Sequence, residues 1–143
     1  MLIRRMTMED IPFVVEIEKQ CFSLPWSEKS FEDSLQREDT IFLVCEDGDV
    51  TGYMGLYLSF DEASVTNVAV SPCFRKKGYG EALVVAAKET AKSAGAECIF
   101  LEVRQSNIPA ISLYKKQGFE ELGIRKKFYE HPVEDAIIMK VGI

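Results

Sequence analysis

One stretch decides the fold: Val65-Thr66-Asn67-Val68-Ala69-Val70, then Ser71-Pro72-Cys73-Phe74, then Arg75-Lys76-Lys77-Gly78-Tyr79-Gly80, then an apolar, Ala-rich pattern from Glu81 to Ala94. The first run reads as a strand and the last as a helix. Between them lies a short turn with two glycines and three cationic side chains. A strand feeding such a turn into a helix leaves free backbone N–H groups at the positive end of the helix dipole. That geometry binds phosphate, so the sequence predicts a pyrophosphate site near its own middle.

Outward from that stretch, Gly95 leads to a second apolar run, Cys98 to Val103. Strand, helix and strand in succession predict a parallel crossover. Upstream, Ile41–Cys45, Val50–Phe60 and Ala63–Val70 form an antiparallel meander, with Asp47-Gly48 as its first turn. A short strand, Leu2–Met6, precedes Thr7, an N-cap with Asp10 at the capping-box position. The helix that follows sets Ile11, Val14, Val15, Ile17, Glu18 and Phe22 at mostly helical spacing. Pro25-Trp26 breaks it, and Ser27 caps a second helix carrying Phe31 and Leu35. Asn107 caps another helix, with Pro109 in its first turn and Gly118 at its end. Phe119–Tyr129 and Ala136–Val141 are the last strands, joined by a polar loop through His131 and Pro132. The expectation is one α+β (α/β) domain spanning residues 1–143, a mixed sheet with helices on both faces.

The bulk numbers agree with one core in a chain of 143 residues that is 47% hydrophobic. A net charge of -6 disfavours direct nucleic-acid binding, which needs a broad basic surface, and suits a cationic acceptor. No apolar run approaches the roughly 20 residues that cross a bilayer, so no membrane partner is expected. Cys21, Cys45, Cys73 and Cys98 contain no C-x-x-C pair, and His131 is the one histidine, so no metal site is expected. The Met1-Leu2-Ile3-Arg4-Arg5 start has no signal-peptide pattern, and the expectation is a cytoplasmic protein with reduced thiols. Cys45 and Cys98 fall in core strand patterns; Cys73 lies beside the basic loop.

Three places can carry chemistry. At the Gly loop, the pattern G-x-x-x-x-G-K-[ST] is absent. A dinucleotide fingerprint lacks its third glycine, because Leu83 stands there, although Glu102 lies at a ribose-contact distance downstream. Glu102 interrupts an apolar strand. If buried, it would be raised toward the range of a general base; otherwise it pairs with Arg104 or faces solvent. Tyr114 lies two helical turns from Asn107 and shares its face, as a core phenol or as a proton donor.

Val68-Ala69-Val70-Ser71-Pro72, Arg75-Lys76-Lys77-Gly78-Tyr79-Gly80, Leu101-Glu102-Val103-Arg104, Ser106-Asn107, Ala110-Ile111, Leu113-Tyr114 and Gly118-Phe119 together resemble the GNAT acetyltransferase family, whose acetyl-CoA signature is R-x-x-G-x-G. Pro25-Trp26-Ser27-Glu28, Asn67-Val68-Ala69-Val70 and Glu134-Asp135-Ala136-Ile137-Ile138-Met139 sharpen the likeness. They resemble the branch of that family that acetylates the N-terminal alanine of a small-subunit ribosomal protein. The resemblance implies that Val68, Ala69 and Val70 pair with the pantetheine arm of acetyl-CoA. It implies that Arg75, Lys76, Lys77, Gly78, Tyr79, Gly80 and Glu81 cradle the pyrophosphate, and that Asn107 contacts the coenzyme further along. Glu102 is then the general base, through water, and Tyr114 the acid toward the thiolate. No metal is implied. One segment departs: in Arg125-Lys126-Lys127-Phe128-Tyr129, Phe128 stands where the branch tends to carry a tyrosine. Three alternatives stay open: transfer to lysine side chains or a small amine, a non-catalytic acyl-CoA-binding module, and dinucleotide binding.

Overall fold

The computed structural model describes residues Met1–Ile143. Seven strands form one sheet: β1 (Leu2–Arg5), β2 (Thr40–Asp47), β3 (Asp49–Ser59), β4 (Glu62–Val70), β5 (Cys98–Arg104), β6 (Glu120–Tyr129) and β7 (Glu134–Gly142), in the spatial order β1-β2-β3-β4-β5-β7-β6. Helices α1 (Ile11–Cys21), α2 (Glu28–Leu35), α3 (Tyr79–Ser93) and α4 (Ile108–Lys116) cover it. Only β4 and β5 run parallel, joined by the predicted crossover through α3.

The sheet has a core on each face, which explains its continuous apolar runs. In β2, Leu43 and Cys45 face Leu83, Val84 and Ala87 of α3. Phe42 and Val44 face Val14 of α1 and Phe31 of α2. The α2 start is fixed by Ser27, whose Oγ accepts the Ser30 N–H at 3.1 Å, a cap worth about 1 kcal/mol. This aims Phe31 into full burial, edge-on to Tyr53 at 5.7 Å. At the other end of the sequence motif, Thr7 N–H donates to Asp10 Oδ2 at 2.8 Å, as the capping position predicts. Arg4 takes both oxygens of the same carboxylate at 2.7 and 2.9 Å and holds it well below the usual range.

Two irregularities open the sheet. The parallel ladder stops at Ser64 opposite Phe100. Just beyond, Gly55 pairs with Asn67 and Leu56 with Val65, so Thr66 is an extra residue in β4. A bulge of this kind bends and twists its strand. From there Val65–Val70 and Leu101–Arg104 have no ladder between them, and the gap is the floor of a cleft. Gly55 is required at this point. A Cβ there would collide with the Phe42 ring and lie 2.5 Å from Thr66 Oγ1 and 2.7 Å from Asn67 Oδ1.

Candidate active site

The cleft encloses about 790 Å³ between β4, β5 and the starts of α3 and α4, with the end of α1 at its rim. Its phosphate-type end is the turn before α3. Lys76 and Gly78 are left-handed, at φ +64° and +86°, and Gly78 caps the helix. Alternation of this kind curls successive N–H groups into an anion-binding concavity. The turn is anchored from outside: the buried Tyr79 donates its hydroxyl to Asp47 Oδ2 at 2.6 Å and packs edge-on against Phe74. Glu81 is held by Lys116 at 3.2 Å and Gln117 at 3.2 Å. Arg75 Nε donates to the Val70 carbonyl at 3.3 Å, and its guanidinium reaches Cys21 Sγ. Val68, Ala69, Val70, Arg75, Lys76, Gly78, Tyr79, Gly80 and Glu81 all line the cleft. Lys77 does not: its ammonium lies over the Phe74 ring at 5.6 Å.

Glu102 lines the same cleft but is not buried. Leu101 and Val103 point into the core, while the Glu102 side chain keeps 32% of its surface exposed. Of the two alternatives the sequence leaves open, the exposed one holds: Phe100, Glu102 and Arg104 lie on the face of β5 that neither buried cluster covers. The partner is not Arg104 either. Arg125 of β6 approaches Glu102 Oε1 at 3.5 Å. Arg104 joins Glu134 at 3.2 Å, the Pro132 carbonyl at 3.0 Å and the Glu130 carbonyl at 3.2 Å, and its guanidinium lies 4.4 Å from the Tyr129 ring centre. Ser106 N–H donates to the second Glu134 oxygen at 2.5 Å. The Leu101–Asn107 segment thereby fixes the β6–β7 connection above the cleft.

Tyr114 is 6% exposed, packed at 5.6 Å on Phe119. Burial, and then the nearby Tyr129, push its phenol up to about 12. Its hydroxyl has no protein partner, yet no buried polar side-chain atom is left unpaired, so the hydroxyl opens into the cleft that Tyr114 lines. Asn107 caps α4 by accepting the Ala110 N–H at 3.3 Å and also lines the cleft. Tyr129 is pushed up to about 12 by burial and by the Glu102 carboxylate beside it. The arrangement sets a carboxylate that can take a proton and a phenol that can give one into one cleft, beside an anion cradle.

Glu18, Asn67, Cys21, Phe22 and Trp26 also line the cleft, and motif reading alone does not assign them to it. For Glu18 there was a signal: a carboxylate on the apolar face of α1. A smaller groove of about 460 Å³, between Cys21–Leu24 and Phe128–Pro132, continues the cleft outward.

Residues 11–119 match the model of the acetyltransferase (GNAT) family. The chain is 43% identical over 99% of its length to a Bacillus subtilis (strain 168) protein provisionally named a [ribosomal protein bS18]-alanine N-acetyltransferase, and covers 95% of it. It is 35% identical, over 94% of its length and 92% of the relative, to the [ribosomal protein bS18]-alanine N-acetyltransferase of Escherichia coli K12. The crystal structure of the ribosomal-protein-S18-alanine N-acetyltransferase from Escherichia coli superposes with a TM-score of 0.90 at 34% identity, covering 99% of this chain and 93% of that one. This chain belongs to the acetyltransferase (GNAT) family.

Proposed function

We propose that the chain transfers acetyl from acetyl-CoA directly to the N-terminal amine of ribosomal protein bS18, at alanine, in the cytoplasm where ribosomes are made. The observation that carries the reading is that Glu102 and Tyr114 open into the same cleft as the anion cradle. The names of relatives sharing 43% and 35% of the sequence supply the acceptor. Acetyl-CoA, the cosubstrate of the family, supplies the acetyl group as a reactive thioester. The residues fit it: the N–H groups of Arg75–Glu81 would hold the diphosphate, the unladdered edge Val68–Val70 the pantetheine arm as an added strand would, and Asn107 the arm further along.

Glu102 would receive, through water, the proton that keeps an ammonium from attacking. An α-ammonium, with a pKa of about 7.7–8.0 against about 10.4 for lysine, asks less of a carboxylate. Tyr114 is suited to the opposite task. Its phenol remains protonated at neutral pH and can donate to a departing thiolate. Neither step needs a covalent enzyme intermediate.

The test is incubation with acetyl-CoA and three acceptors: an N-terminal alanine peptide of the bS18 type, a lysine peptide blocked at its terminus, and a polyamine. Mass spectrometry should find acetyl on the α-amine of the first. Acetylation of only the other two, or coenzyme binding with no transfer, would overturn the proposal.

A further inference from the structure

Glu18 is 2% exposed, and the transfer chemistry assigns it nothing. Three donors from three parts of the chain converge on it. Tyr53 of β3 gives its hydroxyl to Oε1, Asn67 of β4 gives Nδ2 to the same oxygen at 3.3 Å, and the Trp26 backbone N–H donates to Oε2 at 3.3 Å. A carboxylate is costly to bury, and an apolar side chain of its size would fill a helix face at lower cost. The four groups sit where the cleft is shaped. Trp26 lines the cleft and ends a segment whose Phe22 and Leu24 line both the cleft and the smaller groove, the side proposed for the acceptor. Asn67 adjoins the bulge residue Thr66, whose hydroxyl donates to Asn67 Oδ1 at 2.8 Å. One carboxylate therefore joins the acceptor rim to the bend that opens the sheet.

We propose that Glu18 is a positioning residue for the transfer: through Trp26, Tyr53 and Asn67 it sets the acceptor rim against the β4 bend, and so the place where the acceptor amine stands. The inference deepens the acetyl-transfer reading and rests on it. The cosubstrate end is pinned separately by Tyr79 on Asp47, so the two sides separate in experiment.

The test uses the full chain with Glu18→Gln, Tyr53→Phe and their double variant. It measures kcat and KM for an N-terminal alanine peptide, Kd for acetyl-CoA, and acrylamide quenching of Trp26, the one tryptophan present. Glutamine turns one acceptor into a donor facing donors. Expected in Glu18→Gln is a peptide KM raised about tenfold, the scale of one buried hydrogen bond to a charged group, with acetyl-CoA Kd within about twofold and Trp26 more open to quencher. Tyr53→Phe should move peptide KM the same way by less, and the double variant should add little to Glu18→Gln, because both remove one network. An unchanged peptide KM in both single variants overturns the role, as does a rise in acetyl-CoA Kd matching that in peptide KM, which marks general loosening. If Glu18→Gln does not fold, Tyr53→Phe and Asn67→Ala decide: unchanged peptide KM in both overturns it. Wild-type protein that acetylates no peptide α-amine overturns the functional reading and this role together; active wild type with flat variant KM values overturns this role alone.

Discussion

On the proposed cosubstrate side of the cleft, the lining comes from one short turn, Arg75, Lys76, Gly78, Tyr79 and Gly80, and the Tyr79–Asp47 bond ties that turn to the β2–β3 hairpin. On the proposed acceptor side, the lining is side chains gathered from the end of α1, the segment to Trp26, and the β6–β7 connection. There β6 loses register between Arg125 and Tyr129, Lys127 turns left-handed at φ +54°, and Phe128 stays 42% exposed. The difference would follow from the proposed ligands. A diphosphate is the same molecule for every member of a family and is met by N–H groups that any sequence supplies. An acceptor peptide is recognised by particular side chains, which must come from wherever the fold brings them.

Four variants break or sharpen that contrast. The largest effect belongs to the group between the halves. Glu102→Gln should lower turnover by about 10²–10⁴-fold, the range of general-base catalysis, with acetyl-CoA Kd unchanged by calorimetry; normal turnover at neutral pH removes Glu102 from the mechanism. Tyr114→Phe should slow the single-turnover rate by about tenfold or more, at the lower end of proton-transfer effects, again with acetyl-CoA Kd unchanged.

Tyr114 also makes a pH prediction. Its folded phenol titrates at about 12 against an ordinary 10.0, so folding favours its protonated form. That contribution is complete below pH 10 and is lost as pH rises from 10 through 12. Thermal melts should fall across that window, and less steeply in Tyr114→Phe. Equal slopes would contradict the burial-driven shift.

Asp47→Ala addresses the cosubstrate half alone. It frees Tyr79 and should raise acetyl-CoA KM about fivefold, the scale of one ordinary, partly exposed hydrogen bond, leaving peptide KM alone. A rise in peptide KM of the same size would mean the two sides are not separately held. Phe128→Tyr is the smallest. At an exposed position, one added hydroxyl should change peptide kcat/KM by about threefold or less, the scale of one exposed hydrogen bond, with no change in acetyl-CoA affinity.

The contrast also explains what was legible in the sequence. All four helices and seven strands follow from periodicity and punctuation, because Thr7, Ser27, Asn107 and Gly118 mark ends by local chemistry. The cradle was legible as a motif for the same reason. Glu102 stands out in the sequence, but the sequence leaves its exposure open: a continuous apolar run looks the same whether a strand is covered on both faces or borders a gap made by a bulge elsewhere. That bulge depends on Gly55 and Thr66, and neither residue announces it locally. Tyr53 reads as an ordinary strand aromatic, and its bond to Glu18 spans 35 residues of sequence, so no local pattern reveals it.

The most direct measurement is a crystal structure of the chain with acetyl-CoA bound. The expected result is the diphosphate on the N–H groups between Arg75 and Glu81, the arm along Val68–Val70, and the thioester between the Glu102 carboxylate and the Tyr114 hydroxyl. A coenzyme seated elsewhere, or a thioester out of reach of both side chains, would contradict the proposed transfer.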